Sequence, residues 1–129
     1  MPPGSVRVDK QVDTGDYTGY LDGDFNYKVE VQEYDEETKT YGEWIPYTYD
    51  AADPELSKHT YDVYDVNSPL MPIASDVVPE VRADDPNKYG IIKLKKDQFC
   101  YIKGFSTLDK FKVSECDPSG TITGETDLL

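Results

Sequence analysis

Positive charge is scarce in this chain. Lys and Arg number 13 against 26 Asp and Glu, a net charge of −13 at pH 7. So acidic a surface repels phosphate backbones and anionic headgroups, and neither nucleic acid nor a membrane is an expected partner. Long apolar runs are missing too. None approaches the roughly 18 residues of a transmembrane helix, and no signal peptide is recognisable; Met1-Pro2-Pro3-Gly4 reads as an expression remnant. Histidine occurs once, at His59, there is no G-x-S-x-G elbow, and 26 carboxylates single out no pair, which leaves a conventional hydrolase unsupported. No cofactor is expected. Cysteine occurs twice, at Cys100 and Cys116, which fits neither a C-x-x-C metal knuckle nor a dense disulfide framework.

What the chain does have is eleven Tyr, nine Gly and nine Pro among short alternating runs. That composition predicts an all-β sandwich rather than helices, in a single domain over 1–129 of about seven to nine strands. Val6, Val8, Lys10 and Val12 alternate with polar residues, as do Phe25, Tyr27, Val29 and Val31. Glu43 to Tyr49 reads as a strand with Pro46 at an edge or bulge, and His59 to Val66 as another. The spacing predicts a Gly/Asp/Tyr loop over 13–24, and mostly loop over 67–88 around one short strand near 77–81. Ile91 to Leu94, Phe99 to Ile102 and Lys110 to Glu115 form the final group of strands, with Lys95-Lys96-Asp97 as a polar corner. Cys100 shares a face with Ile102, whereas Cys116 is opposite in parity to Glu115. A pair of thiols, at least one of them packed as a small hydrophobe, is therefore favoured over a cross-strand disulfide.

Two ionisable residues break the alternation. Strand side chains repeat every two residues, so Glu115 points where Phe111 and Val113 point, and Lys10 where Val8 and Val12 point. Removal from water drives a lysine towards its neutral amine and a glutamate towards its acid. A neutral amine is a nucleophile, and a protonated carboxyl can polarise a carbonyl and shuttle protons. The plain alternative is a buried ion pair, or a shifted register that leaves both in water. Asp13, Asp16, Asp22 and Asp24, spaced among glycines, match no EF-hand order and read as a solvated acidic turn rather than a Ca²⁺ site.

The segment GIIKLKKDQFCYIKGFSTLDKFKVSE resembles the "FxLKxGQxxxIxGLPxGxxYxVxE" motif of Gram-positive pilin isopeptide-linkage domains, relatives of collagen-adhesin B-type (CnaB-type) repeats. Leu94, Lys95, Gln98, Ile102, Gly104, Phe105, Phe111, Val113 and Glu115 fall in register with it. VRVDKQV resembles the family's lysine-bearing first strand, and DGDFNYKVEV the strand after it. Ser106, Leu108 and Asp97 depart from the pattern, all at loop positions. The resemblance covers roughly 6–34 and 89–124. It implies an immunoglobulin-like or transthyretin-like β-sandwich from a cell-wall-attached, extracellular pilin or adhesin, a structural protein working beside neighbouring domains or pilin subunits. It also implies a covalent bond from Lys10 to an Asn or Asp side chain on the last strand, with Glu115 as proton shuttle: single-turnover self-chemistry, not enzymatic turnover.

The acceptor is the open question. No Asn follows Glu115; Asn26 lies on the polar face of its strand, and Asn67 and Asn87 lie in loops. SGTITGETDLL resembles the approach to the family's Asn-bearing strand. The favoured expectation is a split domain that accepts an Asn-bearing strand peptide and bonds to it through Lys10. The others are Asp127 as an Asp-type acceptor, or loss of the crosslink. A ligand-binding adhesin module, its Tyr side chains and Trp44 receiving a carbohydrate or host surface protein, is the alternative from a different class.

Overall fold

The computed structural model describes the backbone of residues 19–22, 26–106 and 108–128, and the side chains of 26–106 and 108–123. Ten strands occur among them: β1 (Gly19–Asp22), β2 (Asn26–Asp35), β3 (Thr40–Pro46), β4 (Tyr61–Asp65), β5 (Ala74–Val77), β6 (Glu80–Val81), β7 (Gly90–Lys93), β8 (Gln98–Ile102), β9 (Lys110–Cys116) and β10 (Ile122–Leu128). A single 3-10 turn, Leu56–Lys58, accompanies them. The described residues are thus nearly all-β. None forms a helix long and apolar enough to cross a membrane.

All pairings are antiparallel, in two sheets. One is ordered β1-β8-β4-β5, the other β10-β9-β2-β7-β6, with β3 also on β2. β2 is the spine of the larger sheet because its alternation is the cleanest in the chain: Tyr27, Val29 and Val31 are all fully buried. One of its edges pairs with β9, setting Tyr27 opposite Glu115, Val29 opposite Val113 and Val31 opposite Phe111. The other edge is shared between β7, with Tyr27 opposite Ile92, and β3, with Val31 opposite Ile45. This inward row meets Tyr61, Val63, Cys100 and Ile102 of the smaller sheet in one apolar cluster. Each such side chain contributes about 1.5–3 kcal/mol on burial, so the cluster holds the two sheets together.

β2, β7, β8 and β9 lie where the alternation predicts them. The Lys95-Lys96-Asp97 corner joins β7 to β8, and Asp97 adopts φ +63° there; aspartate tolerates this left-handed region better than most residues, so it fills a corner that in the resembling motif is glycine. Pro46 ends β3 on a strand bonded to β2 alone, as an edge proline should.

Other elements differ from expectation. Gly19–Asp22 is strand rather than loop, lying along β8 with Leu21 opposite Cys100. The edge of β8 supplies bonding partners that a Gly/Asp/Tyr composition does not advertise. Between 67 and 88 there are two short strands, β5 and β6, split at Val78-Pro79, where the buried proline has no N–H to carry the ladder on. These additions take the count past the nine strands expected. β4 is also shorter than predicted and buried on both faces, since Asp62 and Tyr64 are as sequestered as Tyr61 and Val63. Tyr64 stacks on Phe99 (5.1 Å, 4°) on the far side of that sheet.

Candidate functional site

Glu115 sits on the inward face of β9, in line with Phe111 and Val113, both fully buried, and directly across from the fully buried Tyr27. Glu115 as a residue is half-buried. Its neighbour on the other side of β9 is β10, whose backbone register sets Asp127 opposite Val113 and Thr126 opposite Ser114, with an irregularity between Ile122 and Thr126. Asp127 therefore lies within two residues of Glu115 in the β9 register. Residues 122–128, read as the approach to a last strand, are themselves a strand. Lys10 lies outside the described residues, as do Asp13, Asp16 and Asp24.

The three asparagines fall where the sequence places them. Asn26 is half-buried on the outward side of β2, opposite Cys116 and Lys93, while Asn67 and Asn87 lie in turns, where their N–H groups donate to Asp65 and Asp85. Cys100 and Cys116 are both buried and unbridged. Burial pushes the Cys116 thiol up to about 11, so it stays protonated at neutral pH and packs as a small apolar group.

A second concentration of polar groups escaped the periodicity argument. Asp62, buried at the middle of β4, accepts a hydrogen bond from the Asp76 N–H (2.8 Å) and an ion pair from Lys103 Nζ (3.0 Å), which also meets the Asp76 carboxylate. Burial works against the Lys103 charge, but its hydrogen bonds to Asp76 and Asp62 outweigh that and raise its pKa. Lys103 and Asp76 border an open depression of about 620 Å³, walled also by Tyr49, Ser57, Thr60 and Gly104. Asp62 alternates with apolar neighbours as an outward residue should, so sequence alone gave no sign of its burial.

His59 lies behind the depression. Its ring stacks on Phe105 (4.2 Å, 20°), and its Nδ1–H donates to the Thr48 carbonyl at 2.9 Å. Burial lowers its pKa from the ordinary imidazole value. The unfolded chain therefore takes up a proton before the folded one does, so this contribution to stability is complete above about pH 6.5 and is lost as pH falls through the lowered folded value. His59→Phe keeps the stack but does not titrate. In urea melts between pH 7.5 and 5, the wild-type protein should lose more stability than the variant; parallel pH profiles would refute the assignment.

Among the described residues no group of three His, Cys, Asp or Glu side chains could hold a metal ion. No known protein family, curated protein or solved structure matches this chain. What its site can do is therefore argued from its own residues.

Proposed function

We propose that this chain is a structural β-sandwich domain, immunoglobulin-like or transthyretin-like, of a Gram-positive cell-surface pilin or adhesin, and that Lys10 forms an amide crosslink with Glu115 as proton shuttle. The observation that carries this reading is Glu115: a half-buried acidic residue on the apolar face of β9, set beside fully buried Tyr27 and Val113. The chemistry uses Glu115 as the neutral acid, the form that can polarise an amide or acid carbonyl. The neutral Lys10 amine attacks that carbonyl carbon, Glu115 passes protons from the nitrogen to the departing oxygen or nitrogen, and water leaves if the acceptor is Asp, ammonia if it is Asn. The bond forms once and is not turned over.

The pairing of β10 with β9 bears on the acceptor. Both edges of β9 are occupied, by β2 and β10, so an incoming Asn-bearing strand would have to add to β10 instead. Asp127, already in the strand beside Glu115, is the better acceptor. A Lys10–Asp127 bond would tie the first strand to the last, letting a pulling force pass between neighbouring subunits without unravelling the core.

Intact mass of the purified protein tests this. A Lys10–Asp127 bond lowers the mass by one water, about 18 Da, and the loss should vanish in Lys10→Ala, Glu115→Ala and Asp127→Ala. Full mass with covalent addition of an Asn-bearing strand peptide would instead support the split domain. Full mass with no adduct removes the crosslink from this chain.

A further inference from the structure

Three lysines on the outward face of the larger sheet are matched with rings rather than with carboxylates. Lys28 Nζ lies 4.9 Å from the Tyr89 ring centroid, Lys110 Nζ 4.1 Å from that of Tyr41, and Lys112 Nζ 4.8 Å from that of Trp44. Among the described residues the ion pairs use Arg82, Lys93 and Lys103, and none of these three. In a chain whose acids outnumber its bases two to one, this is a row of lysines that forms no ion pair among the described residues, although Glu30 stands among them.

Register sets them in a row. Ser114 is opposite Lys28, Lys112 opposite Glu30 and Lys110 opposite Gln32, so successive rungs bring an ammonium group about every 7 Å along the sheet. Trp44 stands opposite Gln32 and Tyr41 opposite Tyr34, extending the strip with rings. Between Lys28 and Lys112 is a notch of about 60 Å³, lined also by Glu30, Tyr89, Ser114 and Ile122. That volume is about two water molecules' share of liquid water, enough for one small anionic group.

Two features narrow the ligand. The ammonium groups call for anions at intervals along an extended chain. Glu30, in the same notch, calls for hydrogen-bond donors; it lies close enough to Tyr89 that, after burial, its charge and hydrogen bond help raise that phenol's pKa. A ligand bearing only negative charge would meet repulsion there. A uronic acid offers both groups, a carboxylate for lysine and hydroxyl donors for Glu30, on a ring whose C–H face packs against Tyr or Trp. We infer that the Tyr89–Lys28–Lys112–Trp44–Lys110–Tyr41 strip binds a linear polysaccharide containing uronic acids. The chain's net charge of −13 does not forbid this at physiological ionic strength, where the Debye length is about 8 Å and only nearby charges act on the ligand.

Trp44 is the sole tryptophan, so its fluorescence reports on this strip alone. The full chain is titrated in 0.15 M salt with hexasaccharides of galacturonate and of hyaluronan, with neutral cellohexaose and poly-L-glutamate alongside. At least one uronate hexamer should change the emission saturably while cellohexaose and poly-L-glutamate do not. Lys28→Gln combined with Lys112→Gln should weaken the uronate at least tenfold at an unchanged melting temperature, and Glu30→Gln should narrow its advantage over poly-L-glutamate. Silence with both uronates, equal binding of poly-L-glutamate, or full affinity in the double-lysine variant overturns the assignment. Lys10→Ala leaves this binding unchanged, so it stands or falls separately from the crosslink.

Discussion

Asp109→Ala lowers the stability of the fold by about 3 kcal/mol, a fall of roughly 150-fold in the ratio of folded to unfolded chain. Asp109 is 3% exposed and its carboxylate is shared between two backbone donors: Oδ1 accepts from Tyr34 N–H and Oδ2 from Ser106 N–H, each at 2.9 Å. The first bond joins the β8–β9 loop to the far end of β2; the second closes the loop on itself. Alanine leaves both N–H groups without an acceptor beside a buried site, and each orphaned donor costs about 1–3 kcal/mol. Asp109→Asn keeps one acceptor oxygen and should lose about half as much. Urea melts at neutral pH measure both, with the m value unchanged if the two states keep their compactness. A loss under 1 kcal/mol for alanine would mean that water replaces the carboxylate and that the clasp is incidental.

Gly104→Ala is the second large effect. Gly104 has φ +95°, and a Cβ there would lie 2.7 Å from the Lys58 carbonyl oxygen and 2.8 Å from His59 Cδ2. The backbone conformation alone costs an L-residue about 1–2 kcal/mol. The clash adds a comparable amount because its first partner is main chain, which has little room to move, so the total should reach about 3 kcal/mol. Gly120 provides the control. Its φ is +89°, but its nearest neighbours are the flexible ends of Lys28 and Ile91 at 3.1 and 3.4 Å; Gly120→Ala should cost only the backbone part. A further signature separates the clash from the backbone. Pushing His59 off Phe105 exposes the imidazole, so its pKa in Gly104→Ala should rise towards the ordinary value in an NMR titration, and in Gly120→Ala it should not. Equal losses for both glycines, with His59 unmoved in each, would leave backbone strain as the sole cause.

The strands that carry the core were legible because their signal is local. Tyr27, Val29 and Val31 declare a buried face through their spacing, and the same rule turns Glu115 inward. What the sequence hid depends on partners far along the chain. β1 is a strand because β8 has an edge to offer, and its Gly-Tyr-Leu-Asp composition could not say so. Asp62 and Asp109 look like ordinary surface aspartates until Lys103 and the Tyr34 N–H are brought to them. Likewise, the lysines of β9 read as the solvated side of a half-buried strand, and only the register of β3 on β2 reveals Trp44 beside Lys112.

The Asp109 clasp also sets a timetable for synthesis. It joins residues 75 positions apart, and at roughly 5–20 residues per second a ribosome needs about 4–15 s to deliver the second after the first. For most of that interval β2 has only β3 for company, because β7 (Gly90–Lys93) is made near its end and β9 only after it. The central strand of the larger sheet therefore waits with the edge that β9 will cover bare for far longer than a hairpin takes to close, which is microseconds. The nascent chain is at its most vulnerable to sticking to a neighbour before Asp109 emerges, and slower translation upstream of β9 prolongs that hazard.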